Sequence, residues 1–277
     1  MPELTALSER LLGQAHALSQ AEGWPHLPND WGNMIANGRG LGLMSEGALI
    51  GTVLWWEQTT HATLGMVIVA AAHRQRGHGA RLVTEALKQI GERNILLHAT
   101  GAGLPGYARL GFVPVGIIHQ HQGHAARPPL PDTDLDISRM SARDVTRIAD
   151  VDKAARGWDR TDLLQALMQK GTCWAAARDG RIVGYALERH AGKGSIIGPI
   201  VADAPETAQA LVTRALHTAK NAFFRIDSDP GLGLCDWLEA IGLSKVDMGT
   251  TMLKGEQPLI EPSVPVKLYG LASQAYG

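Results

Sequence analysis

Two halves of this chain carry the same short motifs in the same order. Glu22-Gly-Trp24 recurs as Arg156-Gly-Trp158, and Ile68-Val-Ala70 recurs as Ile200-Val-Ala202. Further matches follow, and the offset between partners stays between 131 and 134 residues. An ordered series at a nearly constant offset is the signature of an internal duplication. The sequence therefore predicts two tandem copies of one fold.

The boundary between the copies is predicted in a proline-rich segment. Three prolines between residues 127 and 131 would interrupt any helix or strand there. We therefore predict a first domain over residues 1–126, a linker over 127–135 and a second domain over 136–255. A tail over 256–277, which contains three more prolines, is expected to run over the surface.

Within the first copy, the hydrophobic period changes from helical to strand-like. Apolar residues on one helical face predict a helix over residues 7–21, and a short second helix is predicted over 30–36. Strands are predicted at 40–44 and 49–57, joined by a Ser-Glu-Gly turn. A third strand at 64–69 leads into a glycine-containing loop and another amphipathic helix.

The loop after the third strand has a recognisable spacing. Arg74, Gly77 and Gly79 form Arg-x-x-Gly-x-Gly just before the helix. Backbone N–H groups converge at such a helix N-terminus, and its dipole favours a pyrophosphate. Arg76 adds positive charge. The spacing is not the dinucleotide fingerprint, because Leu82 stands where the third glycine is required, and it lacks the Gly-Lys-Ser/Thr of a P-loop.

A second group of motif residues follows the loop. Residues 95–100 are predicted to form a strand, and residues 106–114 contain Tyr-x-x-x-Gly-Phe. Over residues 20–120 the chain resembles the Gcn5-related N-acetyltransferase (GNAT) family. The matching residues are Val69, Arg74, Gly77, Gly79, Tyr107, Gly111 and Phe112. The resemblance implies an α/β (α+β) fold of two tandem GNAT-like domains, each a mixed, mostly antiparallel, twisted sheet flanked by helices.

The resemblance also implies a cofactor and a reaction. Members of the family transfer acetyl from acetyl-CoA, the cosubstrate, to an amine by direct attack. The pantetheine arm would pair with the backbone of Val67, Ile68 and Val69, and Tyr107 would protonate the departing thiolate. The pyrophosphate would be held by Arg74, Gln75, Arg76, Gly77, His78, Gly79 and Ala80.

The second copy departs from the motif at each of these functional positions. When the copies are aligned on Val69 and Val201, the arginine, the two glycines and the tyrosine are replaced by Glu206, Gln209, Leu211 and Leu238. Acidic and bulky side chains oppose the close approach of a phosphate. We therefore predict a degenerate second copy and one acyl-CoA site per chain.

The general base is not fixed by any motif. Glu57, at the end of a predicted strand, is the candidate we select. His61, His98, His119 and His121 are alternatives, since imidazole titrates near pH 7. Many members of the family use only a chain of water molecules.

Three histidines also raise the question of a metal site. His119 and His121 would share one face of a strand, and His124 follows them. A zinc site needs a fourth ligand, and neither a cysteine nor a carboxylate lies near them in the sequence. We therefore expect no metal.

The acceptor pocket is expected between the first two helices and along the hairpin, where four of the seven tryptophans lie. Aromatic walls with a carboxylate bind an alkylammonium through cation–π contact and charge pairing. Trp24 has a counterpart in the second copy and is predicted to be core. The candidate substrate-binding residues are His26, Asp30, Trp31 and Trp55.

Composition excludes several other classes of function. A net charge of -1 and a pI near 6.8 give no electrostatic basis for binding nucleic acid or an anionic membrane. Residues 1–10 show no signal-peptide pattern, and Cys173 and Cys235 suit a reducing compartment.

We predict a cytoplasmic monomer or homodimer that acetylates a primary amine of a small molecule. The alternatives are a non-catalytic acyl-CoA-binding sensor or interaction protein, and a transferase that uses another acyl-CoA or an oxygen acceptor.

Overall fold

The computed structural model describes residues 2–220, 223–258, 260 and 265–277. The first copy alternates helices and strands. Its elements are β1 (Glu3–Ala6), α1 (Leu12–Ala21), α2 (Pro28–Asn37), β2 (Arg39–Ser45), β3 (Ala48–Glu57), β4 (His61–Val69), α3 (His78–Ile90), β5 (Asn94–Ala99), α4 (Leu104–Arg109) and β6 (Val113–His124).

The second copy repeats this order element by element, which confirms the predicted duplication. Its elements are β7 (Asp136–Met140), α5 (Val145–Arg156), α6 (Thr161–Lys170), β8 (Thr172–Arg178), β9 (Arg181–Ala191), β10 (Gly194–Ala202), α7 (Pro205–Thr218), β11 (Phe223–Ser228), α8 (Cys235–Ala240) and β12 (Ser244–Lys254), with β13 (Lys267–Gly270) after them.

No helix in the described ranges is long and apolar enough to cross a membrane.

Helix α3 shows how the sequence sets a local element. Its apolar positions at helical spacing, 82, 83, 86 and 90, are buried, and the helix packs on β2, β3 and β4. Glycine stands at both ends with positive φ, 78° at Gly77 and 75° at Gly91. Residues with a Cβ rarely adopt this conformation, so the glycines fix where the helix starts and stops.

The strands form one sheet in which the two copies exchange their last strands. The order is β1-β2-β3-β4-β5-β12-β6-β11-β13-β10-β9-β8-β7. Strand β6 of the first copy pairs with β11 of the second, with His121 opposite Ile226. Strand β12 of the second copy pairs with β5 of the first, with Thr250 opposite Ala99. The halves are therefore joined by continuous backbone hydrogen bonding.

The C-terminal tail is part of this sheet. Strand β13 pairs antiparallel with β10 and, through Gly270 opposite Ser228, with β11. Leu271 and Ala272 after it are buried. The expectation that the tail runs over the surface is wrong, because its backbone fills a gap between two central strands.

The copies also share one apolar core. A single cluster contains Met34 and Trp56 from the first copy and Ile148 and Leu164 from the second. At its edge the ring of His61 stacks on Trp158, with 4.3 Å between the centroids. Both backbone pairing and side-chain packing therefore oppose separation of the halves.

We expect a chain truncated after residue 126 not to fold on its own. Its β6 would lose β11 and β12, which leaves backbone groups unpaired and apolar surface exposed. Circular dichroism and size-exclusion chromatography should show residues 1–126 unfolded or aggregated, and co-expression with residues 127–277 should restore a soluble complex. A soluble 1–126 fragment that melts cooperatively would show that the first copy does not depend on the exchange.

Candidate functional site

Strands β4 and β5 begin as neighbours and then separate. They pair in parallel near their starts only, within the part of the chain that the structure describes. Strand β4 then carries a β-bulge, because its register with β3 shifts between Thr52 and Leu54, and Met66 has a φ of 52°. The hydroxyl of Thr52 donates to the Met66 carbonyl at 2.8 Å. A slot therefore opens between the strands beside residues 67–69.

The glycine loop lies at the end of β4. Gly77 has a φ of 78° and precedes α3, and no side chain of the described residues caps this helix. A Cβ on Gly77 would meet nothing within 4 Å, and one on Gly79 would lie 3.7 Å from Val69 Cγ2. The first-turn N–H groups, including that of Gly79, are thus open to an anion, as the predicted pyrophosphate loop requires.

The arginines around the loop have different roles. Arg74 Nε donates to the Val69 carbonyl at 2.9 Å, and its guanidinium also pairs with Glu22. This side chain therefore ties the loop to β4 and to the end of α1. Arg76 is exposed at the loop tip, and Arg81 donates to the Pro2 carbonyl at 2.8 Å. Arg76 is consequently the cation best placed to turn toward a phosphate.

Tyr107 lies on α4, which begins at the carboxyl end of β5. Its ring packs edge-on against Phe112, with 5.9 Å between the centroids. Burial raises the pKa of the phenol to about 12. The hydroxyl therefore keeps its proton throughout the neutral range, as a general acid must.

The corresponding slot of the second copy is filled by protein. The described residues of β10 and β11 also pair only at the strand starts, and β13 enters the gap between the two strands. In the loop that follows β10, Asp203 is bound by Arg178 and by Thr207. Leu211 and Leu238, which replace a glycine and the tyrosine, are fully buried. The second copy keeps the fold without a slot for a cofactor.

A cavity of about 360 Å³ lies between the copies and opens onto the β4–β5 gap. Both copies and the tail contribute to its walls. The lining includes Gly65, Met66 and His98 from β4 and β5, Thr100 directly after β5, Gln120 and Gln122 from β6, Arg189 and Arg225 from the second copy, and Ser273, Gln274, Ala275 and Tyr276 from the tail.

The predicted acceptor residues divide into two groups. His26 and Asp30 line this cavity, whereas Trp31 and Trp55 do not. Trp31 is fully buried and its indole donates to Ser19 Oγ at 2.9 Å. Trp55 is buried in the core under α3. Trp24, expected to be core, is half-buried and packs against the shared core, and it also lines the cavity.

Glu57 lies away from the cavity. Its carboxylate accepts from Arg39 at 3.0 Å and from the indole of Trp55 at 2.9 Å, and Arg93 lies 3.9 Å away. An ion-paired carboxylate at the far end of β3 cannot reach an amine beside the bulge. The hypothesis that Glu57 is the general base is therefore not supported by its position.

Of the histidine alternatives, His98 alone lines the cavity among the described residues. Its Nδ1 lies 3.1 Å from Thr251 Oγ1, and burial lowers its pKa to about 3. Burial also lowers the pKa of His61, which stacks on Trp158. An imidazole with a pKa of about 3, as in His98, is a weak base. His119 and His121 lie elsewhere, since their neighbours Gln120 and Gln122 occupy the cavity face of β6.

Sequence reasoning missed the contribution of the tail. Tyr276 packs edge-on against Trp56, with 4.7 Å between ring centroids. Ala275 lies against Gly65 at the bulge, where a Cβ on the glycine would come within 3.1 Å of the Ala275 Cα. No motif marks these tail residues, and only the path of the chain through the second slot brings them here.

The fold and this site define the class of protein: a tandem acetyltransferase fold with one slot open and one closed. Profiles of the acetyltransferase (GNAT) domain match residues 37–114 and 148–270. The chain is 30% identical to the protein described as uncharacterized N-acetyltransferase YitH of Bacillus subtilis (strain 168), over 97% of this chain and 93% of YitH. The chain therefore belongs to the GNAT family, as an acetyltransferase with two domains in tandem.

Solved structures share the fold over nearly the whole chain. A proposed acetyltransferase from Pyrococcus horikoshii superposes with a TM-score of 0.83 at 20% identity, covering 100% of this chain and 96% of that one. A tandem GNAT protein from the clavulanic acid biosynthesis pathway gives 0.62 at 13% identity, covering 93% and 100%. The likeness confirms the predicted fold class and the tandem arrangement.

Proposed function

We propose that this protein transfers the acetyl group of acetyl-CoA to a primary amine of a small molecule, at one site per chain in the first copy. The observation that carries the proposal is the position of the cavity. It is lined by Gly65 and Met66 at the bulge and by Thr100 at the end of β5. A cofactor lying in the β4–β5 slot, with its pyrophosphate on the α3 N-terminus, would present its thioester to this cavity.

The chemistry that we propose is direct attack. A backbone N–H at the bulge polarises the thioester carbonyl, and the neutral amine forms the new C–N bond. The C–S bond then breaks, and the thiolate takes the proton of Tyr107. The amine releases its extra proton to water in the cavity. No carboxylate is required as base, in keeping with the position of Glu57.

The charges of the cavity suggest an acceptor with an anionic group as well as its amine. Four cationic side chains and two carboxylates line the cavity. Arg225 is engaged by Asp227, and Arg189 by two backbone carbonyls. Lys193 is exposed at the turn between β9 and β10. We propose that it pairs with a carboxylate or phosphate of the acceptor.

We also propose that the enzyme acts in the cytoplasm, as a monomer or homodimer. Both cysteines are free thiols, which suits a reducing compartment. Because both GNAT domains of one chain line the cavity, a second subunit is not needed to complete it.

Gly79→Glu should prevent acetyl-CoA binding. The position has room for a side chain, but the carboxylate would stand at the α3 N-terminus and repel the pyrophosphate. We expect binding to weaken at least about 100-fold, or roughly 2.7 kcal/mol, by isothermal titration calorimetry. Gly13→Glu on the exposed start of α1 is the charge-matched control. Equal affinity in the two variants would mean that the pyrophosphate lies elsewhere.

Tyr107→Phe should lower kcat about 100-fold while acetyl-CoA still binds. Thiol release in the presence of an amine panel measures the rate. Because the pKa of the phenol is about 12, the wild-type rate should not fall through loss of this proton until the pH approaches that value. If the wild-type protein binds acetyl-CoA and no amine accelerates thiol release, the protein is a sensor rather than an enzyme.

Lys193→Ala should raise KM for amines that carry a carboxylate or phosphate by up to about fivefold, since an exposed ion pair contributes at most about 1 kcal/mol. KM for amines without an anionic group should not change. Lys153→Ala, at an exposed position on α5 outside the cavity, is the matched control. An equal change in KM for both groups of amines would contradict recognition of an anionic group by Lys193.

A further inference from the structure

A cluster of metal-ligating side chains lies on the sheet face opposite the cavity. His119 and His121 project from β6 of the first copy, and Cys235 begins α8 of the second. One ring nitrogen of each histidine and the cysteine Sγ all lie within 4.8 Å of one another. No motif points to this thiol, because it lies far along the chain and reaches the histidines only through the strand exchange.

The side chain of His121 gives independent evidence that a ligand binds at this cluster. Its side chain is fully buried, and neither ring nitrogen has a hydrogen-bond partner among the described residues. A buried polar group without a partner is costly, and such groups mark a bound water, an ion or a functional role. The imidazole thus lies beside the thiol and the second histidine, and no group among the described residues satisfies its nitrogens.

The candidate fourth ligand, Glu239, lies one helical turn after the cysteine, outside the group of three ligand atoms that are within 4.8 Å of one another. Its Oε1 is 3.9 Å from His121 Nε2, too far for a hydrogen bond. The Glu239 side chain is half-exposed, so it has room to rotate toward an ion held by the other three ligands. Two imidazoles, a thiolate and a carboxylate are ligands that zinc accepts in tetrahedral geometry.

We propose that His119, His121, Cys235 and Glu239 bind one Zn²⁺ ion per chain. Binding deprotonates the Cys235 thiol, the proton passes to solvent, and the thiolate and Glu239 balance the charge of the ion. Lys245, opposite His121 in the β6–β12 ladder, disfavours a cation here, and the negative charges of Asp229 and Glu239, which also act on His119, offset it. The sequence-based expectation of no metal rested on the lack of a cysteine or carboxylate near the three histidines. The fold brings Cys235 and Glu239 to His119 and His121, whereas His124 packs against Phe223 instead.

The position of the ligands gives the ion a structural role. Two ligands belong to the exchanged strand of the first copy, and two belong to a helix of the second. The ion therefore ties β6 to the half into which it is exchanged. Side chains alternate along a strand, so the ion is separated by the sheet from Gln120 and Gln122 in the cavity.

Zinc and cobalt titrations of the full-length, chelator-treated protein test the proposal. We expect one equivalent of Zn²⁺ to bind and to raise Tm, and Co²⁺ to give the absorption of a tetrahedral site with thiolate-to-cobalt charge transfer. Cys235→Ser should abolish the charge-transfer band and weaken Zn²⁺ binding more than about 100-fold, since even outer-shell changes cost 10–100-fold. Cys173→Ser, at the other buried thiol, should change neither.

Glu239→Gln provides a variant at a half-exposed position that leaves the core intact. It should weaken Zn²⁺ binding at least about tenfold while the metal-free circular dichroism spectrum matches that of the wild type. The proposal is overturned if the wild-type protein binds no Zn²⁺ at micromolar concentration. It is equally overturned if Cys235→Ser and Cys173→Ser bind Zn²⁺ with the same affinity.

Discussion

The pairing of β6 with β11 and of β12 with β5 is the interaction on which the rest of the structure depends. Each copy supplies the strand that completes the sheet of the other. The hydrogen bonds of these ladders, and the apolar core that Trp56 and Leu164 share, make one cooperative unit from two copies. The cavity exists because this pairing holds the open side of each copy against the other.

The duplication has produced two slots, of which one is open and the other is filled by the chain itself. In the first copy, glycine at 77 and 79 leaves the helix N-terminus open beside a bulged strand. In the second copy, the chain's own tail enters the gap as β13, and from there Tyr276 reaches the cavity of the first copy. The segment that closes the slot in one half thus also lines the cavity beside the open slot of the other.

Local patterns predicted local features well and distant contacts poorly. The helices, the hairpin and the loop at 74–79 follow from periodicity and glycine spacing, because those signals act over a few residues. The structure places Glu57, Trp31 and Trp55 outside the cavity, which such local signals could not reveal. Residue type and position on a strand do not reveal whether a side chain meets the cavity, an ion pair or the core.

The sequence by itself determined the duplication, the family and which copy keeps the Arg-x-x-Gly-x-Gly loop, since all three are written in the order and spacing of residues. Only the tertiary structure decided which strands pair, where the tail lies, and that Cys235 meets His119 and His121. The two copies have equivalent last strands, and backbone hydrogen bonds do not depend on side-chain identity. The repeat and its motifs therefore look the same whether or not the last strands are exchanged, and the pairing of β6 with β11 and of β12 with β5 is seen only in the folded chain.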